Sequence, residues 1–168
     1  MAHERATARL DEASLAQDMR AQERDDIAHK VGIAAIKFAD LQNQRTSDYI
    51  LDLDKMMSFE GKTGPYLMYQ AVRIKSLLHK AADQGAVPGT SIRVTDTDRA
   101  LALLVAELPD VLESVCRHYM PHLLCDYAYR LAQAFASFYG ACHILSETDH
   151  DLQASRLALC KATHDQLV

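Results

Sequence analysis

Apolar residues recur at three- and four-residue intervals through most of this chain, which is the period of an amphipathic helix. The pattern predicts an exposed helix from Ala6 to about Gln22 and a more apolar one from Ile27 to Leu41. From Arg45 to Asp54 the period changes. Tyr49, Leu51 and Leu53 alternate with Asp48, Asp52 and Asp54 around Ile50, which predicts at most a short extended segment near 47–54. Gly61-Lys62-Thr63-Gly64-Pro65 reads as a turn, with Pro65 opening the next helix. Along that helix Leu67, Ala71, Ile74 and Leu78 form the predicted core stripe. Beyond a Gly/Pro loop, Asp83 to Thr90, Asp96 or Thr97 is the expected cap of a helix carrying Leu101, Leu104, Val105 and Leu108. Pro109 is expected to break that helix, with Val111, Leu112 and Val115 continuing the pattern after it. Pro121 opens a long helix with Leu124, Ala128, Leu131, Phe135 and Phe138 on one face, and a last helix starts near Asp149. The expected fold is an all-α helical bundle.

Composition narrows the function. The 168 residues are enough for one domain with a sizeable core, and only 10 are Gly or Pro, which favours long helices over a many-turned β fold. Net charge is −5, so indiscriminate coating of nucleic acid is not expected. The charge is segregated, however: residues 1–26 sum to −3, residues 27–81 to +3 and residues 82–168 to −5. A polyanion is therefore expected to meet the middle third. No stretch is apolar enough for a membrane span and no targeting segment is evident, so a cytoplasmic location is expected. Cys116, Cys125, Cys142 and Cys160 lack redox or zinc-module spacing and read as reduced and mostly buried.

Gly61-Lys62-Thr63 imitates the end of a phosphate-binding loop, but Met56 stands where that motif needs glycine. Cys116, His118, His122 and Cys125 lie within ten residues, yet Pro121 interrupts the helix between them, so buried thiols beside surface histidines are favoured over zinc. No nucleophile–base set is present, so no catalytic or metal residue is assigned. The helix after Pro65 carries the strongest signal. Tyr66, Tyr69, Gln70 and Arg73 cluster about 120° from the core stripe by helical geometry. Two rings flanking an amide and a guanidinium suit unstacked bases. Packing of the tyrosines at the rim of the core is the competing explanation, and composition alone favours it.

Longer matches change that balance. Val31 to Leu41, Ser47-Asp48-Tyr49, Asp52 to Gly61, Thr63 to Tyr69, and Arg73-Ile74 with Ser76 closely resemble the C-terminal region of bacterial arginyl-tRNA synthetases. Leu108-Pro109, Pro121-His122, Leu131-Ala132, Phe135, Phe138-Tyr139 and Ser155 to Leu159 resemble the DALR anticodon-binding domain of the same family. The resemblance divides the chain into a leading helix or linker, 1–26, and an anticodon-binding bundle, 27–168, whose C-terminal end is cut short of the family's closing turn. It implies recognition of the anticodon arm of arginine tRNA, with the catalytic domain of the same enzyme as partner in cis. Tyr66, Tyr69, Arg73 and Tyr139 match nucleotide-contacting positions, and His143 lies four residues beyond Tyr139. Gln70 shares the tyrosine face, while Phe59 and Lys62 lie in the loop, Ser58 to Thr63, that approaches the anticodon in the family. The family's Rossmann catalytic domain is missing, and Lys55-Met56-Met57-Ser58 is given no ATP role. This piece alone is therefore expected to be inactive and to need no cofactor, ATP and Mg serving the full-length enzyme. The alternative is a free-standing helical interaction module of the same ancestry without a tRNA role.

Overall fold

The computed structural model describes residues 2–13 and 19–168. Among them are seven α-helices and one 3-10 turn: α1 (Ala2–Glu12), α2 (Ala21–Leu41), α3 (Leu53–Met56), α4 (Gly64–Asp83), α5 (Arg99–His118), α6 (His122–Ala141), the 3-10 turn Ile144–Ser146, and α7 (His150–Leu167). No strand occurs among the described residues, so the all-α expectation holds. The helices pack around two apolar clusters. A small one joins Ala6 and Leu10 of α1 to Ala28, Val31 and Ala35 of α2 and to Met57. The large one is built by α4, α5, α6 and α7 around Ile74, Leu77, Leu101, Tyr127, Leu131, Phe135, Leu157 and Leu159.

Side-chain caps explain several boundaries, because the first N–H groups of a helix have no partner within it. The Asp52 carboxylate accepts from Lys55 N at 3.1 Å and Thr63 Oγ1 from Tyr66 N at 3.2 Å. The Asp149 carboxylate accepts from Leu152 N at 3.0 Å, placing the start of α7 where the sequence puts it. Gly64 sits where α4 abuts α2: a Cβ there would lie 2.3 Å from the Ala34 carbonyl oxygen. Only glycine permits that approach.

Several expectations are corrected. α1 ends at Glu12, and Ala13, Met19 and Arg20 are not helical; residues 14–18 of the expected first helix lie outside the described residues. α2 begins six residues earlier than predicted, where the Glu23 carboxylate accepts from the Arg20 backbone N–H at 3.3 Å and pairs with the Arg20 guanidinium. Residues 47–52 form no strand, and Leu53–Met56 is a helical turn. The alternation there has no partner strand to satisfy its backbone and no core to face, since Ile50 is 89% exposed and Leu51 66%.

Pro109 does not break α5, which runs straight through it. A proline at this position withholds the N–H that would bond the Val105 carbonyl four residues back. The Gln166 side chain of α7 donates to that carbonyl instead, at 3.0 Å. Beside it, the Tyr127 hydroxyl lies 3.0 Å from the Leu104 carbonyl and 2.5 Å from Gln166 Oε1. Tertiary partners thus supply what the local sequence lacks.

The loop into α5 is pinned by an ionic network. Asp98, 1% exposed, accepts from Thr95 Oγ1 at 2.8 Å and Arg156 Nε at 3.3 Å, and Arg156 Nη1 reaches Glu147 at 2.8 Å. Arg156 of the Ser155–Leu159 motif therefore ties α7 to both neighbouring loops.

Candidate nucleic-acid interface

α4 delivers most of the candidate side chains, and its setting decides which reach solvent. Its deeply buried positions are Gln70, Ile74, Leu77 and Ala81, rather than Leu67, Ala71 and Leu78, which are half-buried. α4 is clasped by α2, α6 and α7, so its core face is broader than one stripe and rotated from the predicted one. Gln70, expected on the open face, is 3% exposed. Tyr66 is half-buried, its ring 5.7 Å from that of Tyr129 in an edge-on pair. Burial and the neighbouring Tyr129 push the Tyr66 hydroxyl above its ordinary pKa, partly offset by the Gln70 amide and Arg73.

Tyr69 remains exposed at 41%, and Arg73 lies one turn further along. The Arg73 guanidinium stacks over the Tyr139 ring, 4.2 Å from its centroid, a cation–π contact that orients both groups. Tyr139 is braced from behind by Phe135, with ring centroids 5.8 Å apart. Arg73, Tyr139 and His143 line a cleft of about 480 Å³ between α4, the C-terminal end of α6 and the 3-10 turn. Tyr69, Arg73 and Tyr139 also line a shallower groove of about 240 Å³ beside it. Among the described residues, no carboxylate lines either space.

The remaining candidates lie elsewhere. Phe59 packs against the small cluster near Met68. Lys62 is ion-paired with Asp126 of α6. Its charge also opposes the rise in the Cys125 pKa that burial causes. The Cys/His group is not assembled: Cys116 is exposed and Cys125 half-buried, and among the described residues no three His, Cys, Asp or Glu side chains are placed to hold a metal ion. Cys142 and Cys160 are buried as expected.

The unpaired cations are concentrated. Among the described residues, Lys37, Arg45, Lys55, Arg73, Lys75, Lys80 and Arg99 have no carboxylate partner, whereas every other Lys and Arg does. All but Arg99 fall in the net-basic middle segment. Sequence reasoning missed Leu145 and Ser146, which reach the cleft from the 3-10 turn with no local pattern to announce them. It also left out Lys80, although spacing from Arg73 could have found it.

Comparison with known sequences and structures bears on this arrangement. The profile of the DALR anticodon binding domain matches residues 67–168, more than half of the chain. The chain belongs to the DALR anticodon-binding domain family. A second profile, that of the class I (R) tRNA synthetase catalytic domain, matches residues 1–53 of this DALR protein. Its relatives include the arginine–tRNA ligases of Maricaulis maris, 51% identical over 98% of this chain, and Hyphomonas neptunium, 48% identical over 99%. The chain spans 28% of the length of each. The arginyl-tRNA synthetase structure from Thermus thermophilus matches with a TM-score of 0.86 and 26% identity, over 99% of this chain and 28% of that one. The Plasmodium falciparum enzyme matches with a TM-score of 0.81 and 26% identity, over 99% and 29%.

Proposed function

We propose that this chain is the anticodon-binding region of an arginyl-tRNA synthetase, acting in the cytoplasm to present arginine tRNA to the catalytic part of the enzyme, where ATP and Mg are used. The single observation that carries this reading is the carboxylate-free cleft in which Arg73 stacks on Tyr139, with exposed Tyr69 at the adjoining groove. A splayed anticodon loop offers unstacked bases and a run of phosphates. Tyr69 gives the bases a stacking surface, each stacked base contributing about 1–3 kcal/mol. Arg73 has no acceptor among the described residues, so its N–H groups are free for base edges or phosphate. Gln70 is buried within α4, Tyr66 is paired with Tyr129 and Lys62 with Asp126, and none of the three borders the cleft or the groove.

The partner proposed in cis is the catalytic domain. Ile33, Ile36 and Leu41 on α2, with Ile50 and Leu51 beyond it, are exposed apolar residues, and all fall within the segment matched by the catalytic-domain profile. An apolar surface of this kind suits a protein neighbour better than water.

Substitution tests the reading. Tyr69→Ala and Arg73→Ala are expected to weaken binding of an arginine tRNA transcript by about tenfold or more, since the loss of one stacked base alone is about 1–3 kcal/mol. Unchanged affinity in both would favour the interaction module without a tRNA role.

A further inference from the structure

The face of α4 that carries Arg73 continues past it. Ser76 and Lys80 stand three and seven residues further on, hence on the same side of the helix. Both line the shallower groove, over an apolar floor of Val72, Leu77 and Leu145. The groove opens into the cleft, because Arg73, Leu77, Tyr139 and Leu145 border both. Among the described residues, Lys80 is exposed without a carboxylate partner, and the Ser76 hydroxyl makes no hydrogen bond. No aromatic ring of the described residues lies along the groove beyond Tyr69 and Tyr139.

The geometry points to Ser76 and Lys80 as a binding site for one RNA backbone phosphate, adjacent to the nucleotide held in the Arg73–Tyr139 cleft. This rests on the anticodon-binding reading and extends it with a direction, the strand running along α4 towards its C-terminal end. A lysine ammonium is a mobile point charge that meets a phosphate without demanding one orientation. The serine hydroxyl donates a hydrogen bond to a second phosphate oxygen. A base would need a ring to stack on, and this end of the groove offers none. Seven residues of helix place Lys80 about 10 Å from Arg73 along the axis, beyond the reach of a single nucleotide's contacts in the cleft. Lys75 is also unpaired but borders neither space, so it serves as the internal control.

The test is a titration of wild type, Lys80→Gln and Lys75→Gln with arginine tRNA transcript across a salt series, and with a transcript changed at the central anticodon base. Loss of one phosphate contact is expected to weaken binding about 8-fold at 50 mM salt and about 3-fold at 200 mM, lowering the salt slope by about 0.7. Lys80→Gln is expected to show that loss by the same factor on both transcripts, while Lys75→Gln keeps the wild-type slope. A Lys80→Gln slope equal to wild type, or a loss confined to one anticodon, would overturn the phosphate site while leaving the anticodon-binding reading intact. A wild-type chain that binds neither transcript would overturn both.

Discussion

Tyr69 and Arg73 were legible in the sequence because their side chains do what a helical wheel says: they stand away from the core on α4. Gln70 was not. A wheel assigns one inward direction to a helix, whereas α4 has neighbours on several sides, and Gln70 falls inside the wider buried arc with Ile74 and Leu77. Tyr127 and Cys160 are likewise buried groups, and burial pushes each pKa up to about 12. Both are neutral when protonated, so each contributes stability that is full below its unfolded pKa, near 10 for Tyr127 and 9 for Cys160. That stability is lost as pH rises towards about 12. Unfolding free energies from urea titrations are expected to hold steady to about pH 8. Between about pH 9 and pH 12 they are expected to fall by several kcal/mol, since each tenfold change in proton affinity is worth about 1.4 kcal/mol. A stability that stays flat through about pH 11 would contradict the burial of these groups.

At the scale of elements, helix existence was legible where apolar spacing was strong, as in α2, α4 and α6, and α7 was legible from its Asp149 cap. The misreadings arose where tertiary partners replaced local signals. Pro109 stays within α5 because Gln166, 57 residues later in the chain, bonds the carbonyl the proline leaves free. The alternation at 47–54 resembled a strand, but a strand needs a neighbour, and this segment ends in a helical turn capped by Asp52. Gly64 is the strongest element-level constraint, since α4 touches the α2 backbone there. Gly64→Ala is expected to destabilise the fold by about 2 kcal/mol or more, as overpacking against backbone does. Gly140→Ala, where a Cβ would meet nothing within 4 Å, is expected to be neutral or to gain up to about 1 kcal/mol. Chemical denaturation of both variants checks this pair; equal midpoints would refute the close contact of α4 with α2.

For the whole molecule, a chain of net charge −5 keeps nearly all its unpaired cations in its middle third. In the acidic flanks most bases are paired: Arg93 with Asp149, Arg130 with Glu107 and Lys161 with Asp165. Most bases of residues 37–80 stay free, and Arg73 and Lys80 border the space beside Tyr69 and Tyr139. Charge segregation was visible in the sequence. The cleft was not, because it closes only when the end of α6 and the 3-10 turn fold back on α4. The central claim is that this arrangement reads an anticodon rather than merely attracting RNA. The measurement that tests it most directly is a fluorescence-anisotropy titration with arginine tRNA transcript, against the same transcript with its central anticodon base replaced. Weaker binding of the altered transcript, with the difference persisting at moderate salt, is the predicted result, since a wrong base typically loses about 1–3 kcal/mol. Equal binding of the two that collapses together as salt rises would contradict it.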